Sequence, residues 1–477
     1  MPPKSPRTSL ASPPPVIVWF RRDLRLADNP ALTEAVASGA PVVALFVHDP
    51  AGPPRPIGAA SAWWLDKSLR SLAADLAARG ASLVLRRGDS LDVVRDVAAE
   101  TGASGVYWNR LYDGASVARD TAVKTALTGL GIACRSFNGA VLNEPWAVKS
   151  GGGDPYRVFT PYWRTARTTA GDTAPLPAPP RFAAPQASPT SDRIDDWGLH
   201  TRNPDWSGGF AEWTPGEAGA AARLDAFLDG AAARYADARN TPGVEGTSRL
   251  SAHLHFGEIS PRQVWAACEA AALHGDAPLG QIEVFQKELG WREFNQHLLF
   301  HFPHMTTRNF NPAFDAFVWH DDSVGLTAWR EGRTGYPIVD AGMRQLWATG
   351  WMHNRVRMIV ASFLVKDLLI DWRVGEAWFW DTLVDADVAN NVAGWQWTAG
   401  SGADAAPYFR VFNPILQGER FDPNGDYVRG WVPELADLAP ARIHQPWAHV
   451  SPKRYPAPIV DHAAARDRAL AAYKGLK

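Results

Sequence analysis

Cysteine is nearly absent from this chain, whose 477 residues include only Cys134 and Cys268. Two thiols exclude a disulfide-rich scaffold, a four-cysteine zinc site and an iron–sulfur cluster ligated by cysteine alone. Their scarcity fits a reducing, cytoplasmic location, which we expect for this protein. No run of about 18 apolar residues occurs, so no membrane span is expected. The N-terminal residues lack the apolar core of a secretory signal, which predicts a disordered tail over 1–14.

A large net charge is also lacking. Lys and Arg number 48 and Asp and Glu number 50, so the formal charge is −2, which excludes a histone-like polycation. Residues 216–477 carry 25 basic and 30 acidic residues, which argues against nucleic-acid binding there unless the basic residues cluster on one face. Hydrophobic residues make up 46% and charged residues 21% of the chain, a globular balance rather than a disordered one.

The first 140 residues lack the glycine-rich dinucleotide motif GxGxxG, although short apolar runs alternate there with helical stretches. Such alternation is typical of a doubly wound α/β domain with a five-stranded parallel sheet, which we expect over 15–140. The predicted strands are 16–20, 42–47, 83–85, 105–108 and 134–137. The C-caps of the helices between them are predicted at Gly39, Gly80, Gly102 and Gly129. The arginines of the first turn, FRRDLRLADNP, form either a solvated charge run or the lining of a ligand pocket.

Two further segments follow. Residues 141–215 are too rich in Gly and Pro for long regular elements, which predicts an interdomain linker. Its aromatic stretch at 155–164, PYRVFTPYWR, is expected to be pinned against a domain. Residues 216–477 have helical patterns throughout, which predicts an all-α domain. Ser260 and Pro261 there predict the N-cap and first residue of a helix.

Tryptophan is abundant, with 22 residues against 10 tyrosines and 5 methionines. The indoles could pack in a large core, stack on a ring-shaped ligand or carry electrons. The count alone favours packing.

Two motifs allow both a structural and a chemical interpretation. In YADARNTPGVEGTSRLS, the hydroxyls of Thr247, Ser248 and Ser251 open a helical segment; they suit a bound phosphate, although helix capping is the simpler interpretation. In ELGWREF, Glu288 and Arg292 are four residues apart and could form a surface ion pair. The same helix face could instead present the Glu288 carboxylate beside the indole of Trp291.

Two later motifs are equally open. In HNRVRM, helical spacing puts Asn354, Arg357 and Met358 on one unusually polar face, while Arg355 points about 100° away, toward solvent or an anion such as a DNA phosphate. In DADVANNVAGWQW, Asp385 and Asp387 could bind a metal or accept hydrogen bonds from a sugar, a ring N–H or an arginine. No His or Cys follows to complete a metal site. If this stretch is extended, Trp395 and Trp397 share a face.

The motifs WFRRDLRLADNPAL, EGTSRLS, ELGWREF, TGYPIVDAGMRQL, GWMHNRVRM, DWR, DADVANN, GWQW and DAAPYFRVFNP occur in this order between Val16 and Asp461. In these motifs the chain resembles the photolyase/cryptochrome family, most of all the bacterial class I cyclobutane pyrimidine dimer photolyases. The resemblance implies an α/β antenna domain, a linker and an all-helical domain that binds U-shaped FAD. It implies no metal. The implied flavin contacts are Tyr235, Thr247, Ser248, Arg249, Leu250, Ser251, Phe285, Glu288, Arg292, Trp351, Asn354, Arg357, Asp385, Asp387 and Asn391.

The resemblance also implies a reaction. Under light, excited FADH⁻ would donate an electron to a pyrimidine dimer swung out of ultraviolet-damaged DNA, and the electron would return after the ring splits. The implied catalytic residues are Glu288, which would hydrogen-bond the dimer, Trp291 and Trp397, which would form its aromatic wall, Asn354 and Met358 beside the flavin, and Asn391 facing flavin N5. The implied DNA contacts are Arg239, Trp291, Asn354, Arg355, Arg410 and Gln417. The implied electron relay consists of Trp395, Trp372 and Trp319. We expect a monomer.

Three positions depart from the family's pattern. Ser116 stands where folate-binding relatives carry an acidic residue, so the antenna chromophore could be methenyltetrahydrofolate, a deazaflavin or absent. Val392 replaces an asparagine, and Phe285 replaces a tryptophan found in some relatives.

Two functions compete with dimer repair. A cryptochrome would use the same fold for light signalling, but the chain ends about 16 residues beyond its last family motif, which leaves little room for a signalling tail. Repair of (6-4) photoproducts needs histidine acid–base chemistry, whereas Asn354 and Met358 stand at the positions where that subfamily carries histidines. The resemblance therefore favours dimer repair.

Overall fold

The structure is a computed structural model that describes residues 13–52, 55–168, 170, 174–185, 188–200, 203–405 and 409–476. Most of the predicted N-terminal tail, residues 1–12, lies outside the described residues. In the part that is described, no helix combines the length and apolarity needed to cross a bilayer.

Five parallel strands form one sheet in the order β3-β2-β1-β4-β5. They are β1 Val16–Phe20, β2 Val42–His48, β3 Leu83–Arg87, β4 Gly105–Asn109 and β5 Ala133–Phe137. Alternate residues of β1 enter two different cores: Val18 packs on one side of the sheet and Trp19 on the other. Both faces are therefore covered by other elements, which confirms the predicted doubly wound sheet.

Four helices connect the strands: α1 Pro30–Ala37, α2 Ala59–Ala77, α3 Ser90–Thr101 and α4 Gly114–Gly129. Gly39, Gly80 and Gly102 adopt positive φ just after a helix, as predicted for C-caps. The prediction for Gly129 was wrong, since α4 continues through it and Gly131 takes the left-handed conformation with φ 78°.

The first turn is not a solvated charge run: Arg21 and Arg22 line a cavity, which was the other interpretation. Arg25 is only 1% exposed, and its guanidinium donates to the carbonyl oxygens of Gly257 (2.9 Å), Asp28 (2.6 Å) and Gly139 (2.7 Å). Arg21 pairs with Asp120 at 2.9 Å. The prediction of a solvated charge run was wrong because this turn is buried against a distant part of the chain that contains Gly257.

The described part of the predicted linker contains one α-helix, α5 Phe159–Ala166, and two 3₁₀ turns, Ile194–Trp197 and Ser207–Glu212. Phe159, Tyr162 and Trp163 are buried, so the aromatic stretch is pinned as predicted. Trp163 packs so closely on Gly290 that a Cβ there would lie 2.5 Å from the indole.

The remaining α-helices are α6 Glu217–Asp229, α7 Tyr235–Ala238, α8 Ser251–Phe256, α9 Pro261–His274, α10 Leu279–His301, α11 Ser323–Arg330, α12 Pro337–Thr349, α13 Asn354–Ser362, α14 Trp372–Thr382, α15 Val388–Ala399, α16 Pro414–Phe421, α17 Asp426–Trp431, α18 Pro440–Ile443 and α19 His462–Lys474. Ser260 caps α9 in a capping box with Gln263, as predicted. A π-helical turn, Phe363–Asp367, follows α13. The site described next lies where α7, α10, α13 and α15 meet.

Candidate active site

A carboxylate–guanidinium pair joins α10 to the chain segment after α7. Arg239 Nη1 donates to Glu288 Oε1 at 2.5 Å, and the ring of Phe285 packs on Tyr235 at 5.2 Å. The predicted pair between Glu288 and Arg292 is not formed. Arg292 turns instead toward the linker, where it donates to the carbonyl oxygen of Ala140 at 2.9 Å. Glu288 is therefore paired with Arg239, a predicted DNA contact, rather than with Arg292, its neighbour on the helix.

A second arginine extends this arrangement to α13. Arg355 Nη2 donates to Asn240 Oδ1 at 2.6 Å, and its Nη1 lies 3.6 Å from Met358 Sδ. Because Arg239 and Asn240 are consecutive, one short segment links Glu288 on α10 to Met358 on α13. Arg355 is half-buried, so it is not the solvated arginine that was one of the two interpretations.

Two tryptophans lie on either side of a shared support. Trp291 stacks on Phe159 with ring centroids 3.7 Å apart, and the Phe159 N–H donates to Asp404 Oδ2 at 3.3 Å. The Asp404 carbonyl oxygen accepts the indole N–H of Trp397 at 3.2 Å. Phe159 and Asp404 thus connect the two indoles that the family resemblance assigns to one aromatic wall.

The stretch that carries Trp395 and Trp397 is helical, not extended. In α15 residues two apart point about 200° away from each other, so the idea of a shared face is wrong. Trp395 is buried at 2% exposure, whereas Trp397 is half-buried. The two indoles therefore belong to different environments.

Asp385 and Asp387 are engaged by protein groups. Arg357 grips Asp385 with two hydrogen bonds of 3.1 and 2.8 Å. Asp387 caps α15 by accepting the Asn390 N–H at 2.9 Å, and it lies near His255 and Arg22. Burial alone would raise the pKa of Asp387, but these neighbours hold it well below its usual range. The described residues contain no group of three potential metal ligands.

Arginines concentrate around His353, which caps α13 by accepting the Arg355 N–H at 3.2 Å. Its pKa is lowered to about 3, first by burial and then by the charges of Arg355, Arg357, Arg249 and Arg239. In the described part of the chain its buried Nε2 has no hydrogen-bond partner. Burial and the nearby guanidinium groups therefore keep His353 neutral, although Arg239, Arg249 and Arg357 are themselves paired with carboxylates.

The Thr247–Ser251 run lies between α7 and α8. Ser248 Oγ accepts the Leu250 N–H at 3.4 Å, and among the described residues no side chain caps α8. Helix capping, the simpler interpretation, is therefore wrong for this run. Within the run, Arg249 pairs with Glu212 and Glu245, and its guanidinium lies 4.7 Å from the ring of Trp351. The run leaves hydroxyl groups next to a cation.

Asn391 is oriented by residues that no motif indicated. Its Nδ2 donates to Glu376 Oε1 at 2.8 Å, and the same carboxylate is held by Arg55 of the sheet domain, residues 15–140. One turn along α15, Gly394 is exposed, and a Cβ there would meet nothing within 4 Å. Asn391 therefore stands beside open space on its helix.

The last tryptophan of the predicted relay, Trp319, is the most exposed of the three. Trp395 and Trp372 are buried, and Trp319 is half-buried. Trp372 donates its indole N–H to Asn309 Oδ1 at 3.0 Å, and Trp395 Nε1 has no partner within the described residues. Trp395 also lies 6.2 Å from Trp329. The relay stays a prediction.

A basic surface adjoins the site. Burial lowers the pKa of Arg355, and the charges of Arg239, Arg420 and Arg410 lower it further. Arg410 and Arg420 are exposed, while Gln417 is buried on α16. The helical domain, residues 216–477, is acidic in total, but its arginines cluster on one face. This clustering is the condition under which an acidic domain could still bind nucleic acid.

A cavity of about 140 Å³ lies between the sheet domain and the helical domain, with Trp19, His48, Arg119 and Trp380 in its lining. Ser116 is buried in α4 and does not line it. Val392 is buried in α15.

Sequence reasoning missed Phe159, Asn240, Glu376 and Asp404. Phe159 was inside a segment predicted to be pinned, which was the available signal. Asn240 follows Arg239 directly, so its position beside a predicted contact was a second signal. Glu376 and Asp404 meet their partners only through the tertiary fold.

The chain was compared with known proteins. Residues 16–181 match the family model for DNA photolyase, and residues 285–475 match that for the FAD binding domain of DNA photolyase. Deoxyribodipyrimidine photo-lyase of Agrobacterium fabrum is 51% identical over 97% of this chain and 98% of its own length. Cryptochrome-1 of Arabidopsis thaliana is 40% identical over 94% of this chain and 69% of its own length.

Among solved structures, a bacterial class III photolyase from Agrobacterium tumefaciens superposes with a TM-score of 0.95 at 51% identity, covering 98% of this chain and 99% of that one. That relative is named class III, whereas the motifs suggested class I; the class of this chain stays a prediction.

Proposed function

The chain belongs to the DNA photolyase family, and from this premise we propose that it splits cyclobutane pyrimidine dimers in ultraviolet-damaged DNA under light, as a carbon–carbon lyase that uses FAD. One observation carries the proposal: Glu288, Arg239, Asn240, Arg355 and Met358 form a continuous chain of contacts from α10 to α13. A carboxyl group, a thioether and two cations are thereby linked, and Trp291 lies three residues beyond Glu288 on α10.

The residues present fit FAD. Arg239, Arg249 and Arg357 are each paired with a carboxylate, whereas the Arg355 guanidinium donates to the neutral side chain of Asn240. A cation of this kind suits both a pyrophosphate and a reduced, anionic flavin. The exposed Gly394 leaves open space beside Asn391, and the Thr247–Ser251 run offers hydroxyls without a capping duty. Bound and reduced FAD supplies the light-driven electron for dimer splitting. The residues that would hold it are the fifteen flavin contacts implied by the family resemblance.

Glu288 is suited to hold the polar edge of a dimer. Burial raises the pKa of its carboxyl, while Arg239 opposes that rise. A carboxyl poised in this way can accept a hydrogen bond from a base N–H or, when protonated, donate one to a base carbonyl. Arg239 fixes the side chain in place, so Glu288 needs little reorganisation when the dimer enters.

Trp291 and Trp397 would exclude water from the dimer by stacking and edge contacts. Contacts with Phe159 and Asp404 hold both indoles in position. A flipped dimer could then pack against a preformed apolar wall. Because the dimer stacks poorly in the duplex, the free energy needed to extrude it is lower.

We further propose the division into a sheet domain at 15–140, a linker at 141–215 and a helical domain at 216–477, a monomeric state and a cytoplasmic location, where chromosomal DNA is the substrate. The cavity between the two domains offers aromatic and cationic residues to a second, antenna chromophore. Similarity to a plant cryptochrome favours light signalling as an alternative, but the contacts that link Glu288 to Met358 favour repair.

The test is repair of a thymine-dimer oligonucleotide by the purified, flavin-loaded and chemically reduced protein. We expect dimers to disappear under blue light and to persist in the dark. Persistence of dimers in the light, with flavin bound and reduced, would contradict the proposal and favour signalling.

A further inference from the structure

The segment of the sheet domain that enters α2 rests on the end of α14. The indole N–H of Trp380 donates to the carbonyl oxygen of Pro56 at 2.8 Å, and the Arg55 guanidinium lies over the Trp380 ring at 4.0 Å. The two segments approach so closely at Gly58 that a Cβ there would lie 2.0 Å from the Trp380 carbonyl oxygen. The position of Arg55 relative to α14 is therefore set by the packing of the two domains.

From this position Arg55 holds a buried carboxylate of α14. Its Nη1 donates to Glu376 Oε2 at 3.0 Å, and its Nη2 donates to Glu376 Oε1. The Glu376 side chain is 5% exposed, whereas that of Arg55 is 33% exposed. Two parallel hydrogen bonds from one guanidinium fix the plane of a carboxylate as well as its position. A residue of the sheet domain thus orients a side chain inside the helical domain.

Glu376 in turn engages the amide of Asn391 on α15. The Asn391 Nδ2 donates to the Glu376 carbonyl oxygen at 3.1 Å and to Glu376 Oε1 at 2.8 Å. An amide nitrogen carries two hydrogens, so both are used. Within the described residues, the hydrogen bonds of Asn391 leave its Oδ1 without a donor. The amide therefore offers an acceptor, not a donor, to a bound group.

This orientation matters for a flavin. The family resemblance places Asn391 opposite flavin N5, which accepts hydrogen bonds in oxidised flavin and carries a proton in reduced flavin. An amide oxygen can accept from the protonated N5 but has no hydrogen to give to the unprotonated one. If the Glu376 carboxylate were free to turn, the Asn391 amide could turn with it and present Nδ2 instead. Holding Glu376 therefore favours the reduced flavin, which the proposed repair reaction needs.

We propose that Arg55 is a positioning residue for the repair reaction: by fixing Glu376, it keeps the Asn391 amide oxygen toward flavin N5. The inference rests on the proposed function, since it needs FAD bound in the helical domain. It goes beyond that function because none of the family motifs contains Arg55, and because it gives the sheet domain a part in setting the redox state of the flavin.

The experiment measures the ratio of reduced to oxidised flavin in the flavin-loaded protein, at a fixed solution potential that a redox dye reports. We expect Arg55→Gln to lower this ratio about fivefold, which corresponds to the loss of one oriented hydrogen bond. Arg55→Lys keeps the positive charge but not the fork that grips both carboxylate oxygens, so it should lower the ratio about threefold.

Arg110→Gln is the matched control. Arg110 also belongs to the sheet domain, pairs with the carboxylate of Glu144 and lies over the indole of Trp146. Its side chain is 30% exposed, close to the value for Arg55, but its partner belongs to the linker. The flavin ratio should therefore stay unchanged in this variant.

A second arm repeats Arg55→Gln in a protein that also carries Asn391→Ala. If Arg55 acts through the amide, the loss of the amide removes the means of its effect, and the ratio should be the same with or without Arg55. An arginine that acted on the flavin directly, through its charge, would still lower the ratio about fivefold in this background.

Three results would each overturn the positioning role: equal ratios in Arg55→Gln and Arg110→Gln, an undiminished ratio in Arg55→Lys, or a fivefold loss that persists in the Asn391→Ala background. Failure of the proposed function would be distinguishable from these results. The reduced protein would then leave dimers intact under light, while Arg55→Gln would still shift the flavin ratio.

Discussion

Arginines of the two domains are used in different ways. In the sheet domain, Arg25 is buried and satisfied by three carbonyl oxygens of the chain itself. In the helical domain, burial and then the charges of Arg239, Arg420 and Arg410 lower the pKa of Arg355, which is costly for the protein alone. The buried Arg25 stabilises the contact between the domains, whereas the grouping of arginines around Arg355 becomes favourable when an anion binds. Four predictions test this difference.

The largest effect is expected from Arg25→Met. The substitution leaves three carbonyl groups without their donor at the domain contact, so the free energy of unfolding should fall by about 3–5 kcal/mol. Urea unfolding measures it. Arg87→Met, at an exposed residue of β3, is the control and should change the value by at most about 0.5 kcal/mol. Equal losses in the two variants would remove the structural role of Arg25.

His353→Asn tests the neutral state of this histidine. The unfolded chain binds a proton at His353 below about pH 6.5, but the folded chain does so only below about pH 3. The contribution of His353 to the free energy of unfolding is therefore fully present at pH 7 and falls by about 2 kcal/mol between pH 7 and pH 5. Asn keeps an oxygen to cap α13, so its variant should lose about 2 kcal/mol less over this range. An unchanged pH dependence would show that burial and the nearby arginines do not keep His353 neutral in the folded protein.

Glu288→Ala should lower the preference for dimer-containing over undamaged DNA about tenfold, because one hydrogen bond to a charged group is lost. Binding of undamaged duplex and flavin content should stay the same. Glu283→Ala, at an exposed position of the same helix, is the matched control. A tenfold loss for both DNAs would assign Glu288 to general binding instead.

Trp395→Phe should have the smallest effect on repair itself. The substitution keeps a buried ring but removes the indole nearest the flavin in the predicted relay, so photoreduction of oxidised flavin should slow markedly. Repair by chemically reduced protein should not change. Unchanged photoreduction would discard Trp395 as the first member of the relay and direct attention to its neighbour Trp329.

The sheet could be predicted from sequence because each strand is a short, continuous apolar run between helices. Observed bounds differ from the predicted ones by at most two residues, as in Leu83–Arg87. The same reasoning failed for the first turn, since nothing local shows that Arg25 will meet Gly257, 232 positions away. The C-cap prediction failed at Gly129 because two glycines, 129 and 131, lie at the end of that helix and either could have taken the left-handed conformation.

The site was less accessible to local reasoning. Helical spacing grouped Asn354, Arg357 and Met358, but it paired Glu288 with Arg292 rather than with Arg239. The roles of most site residues came from the family resemblance. The supports of the indoles, Phe159 and Asp404, lie 245 positions apart, and only the folded chain brings them together.

The most direct test is a crystal structure of the flavin-loaded protein with a duplex that contains one thymine dimer. The account predicts FAD among Arg249, Arg357 and Asn391, and the dimer flipped out between Trp291 and Trp397 within hydrogen-bond distance of Glu288. A flavin bound elsewhere, or a dimer still stacked in the duplex while Trp291 and Trp397 contact only protein, would contradict it.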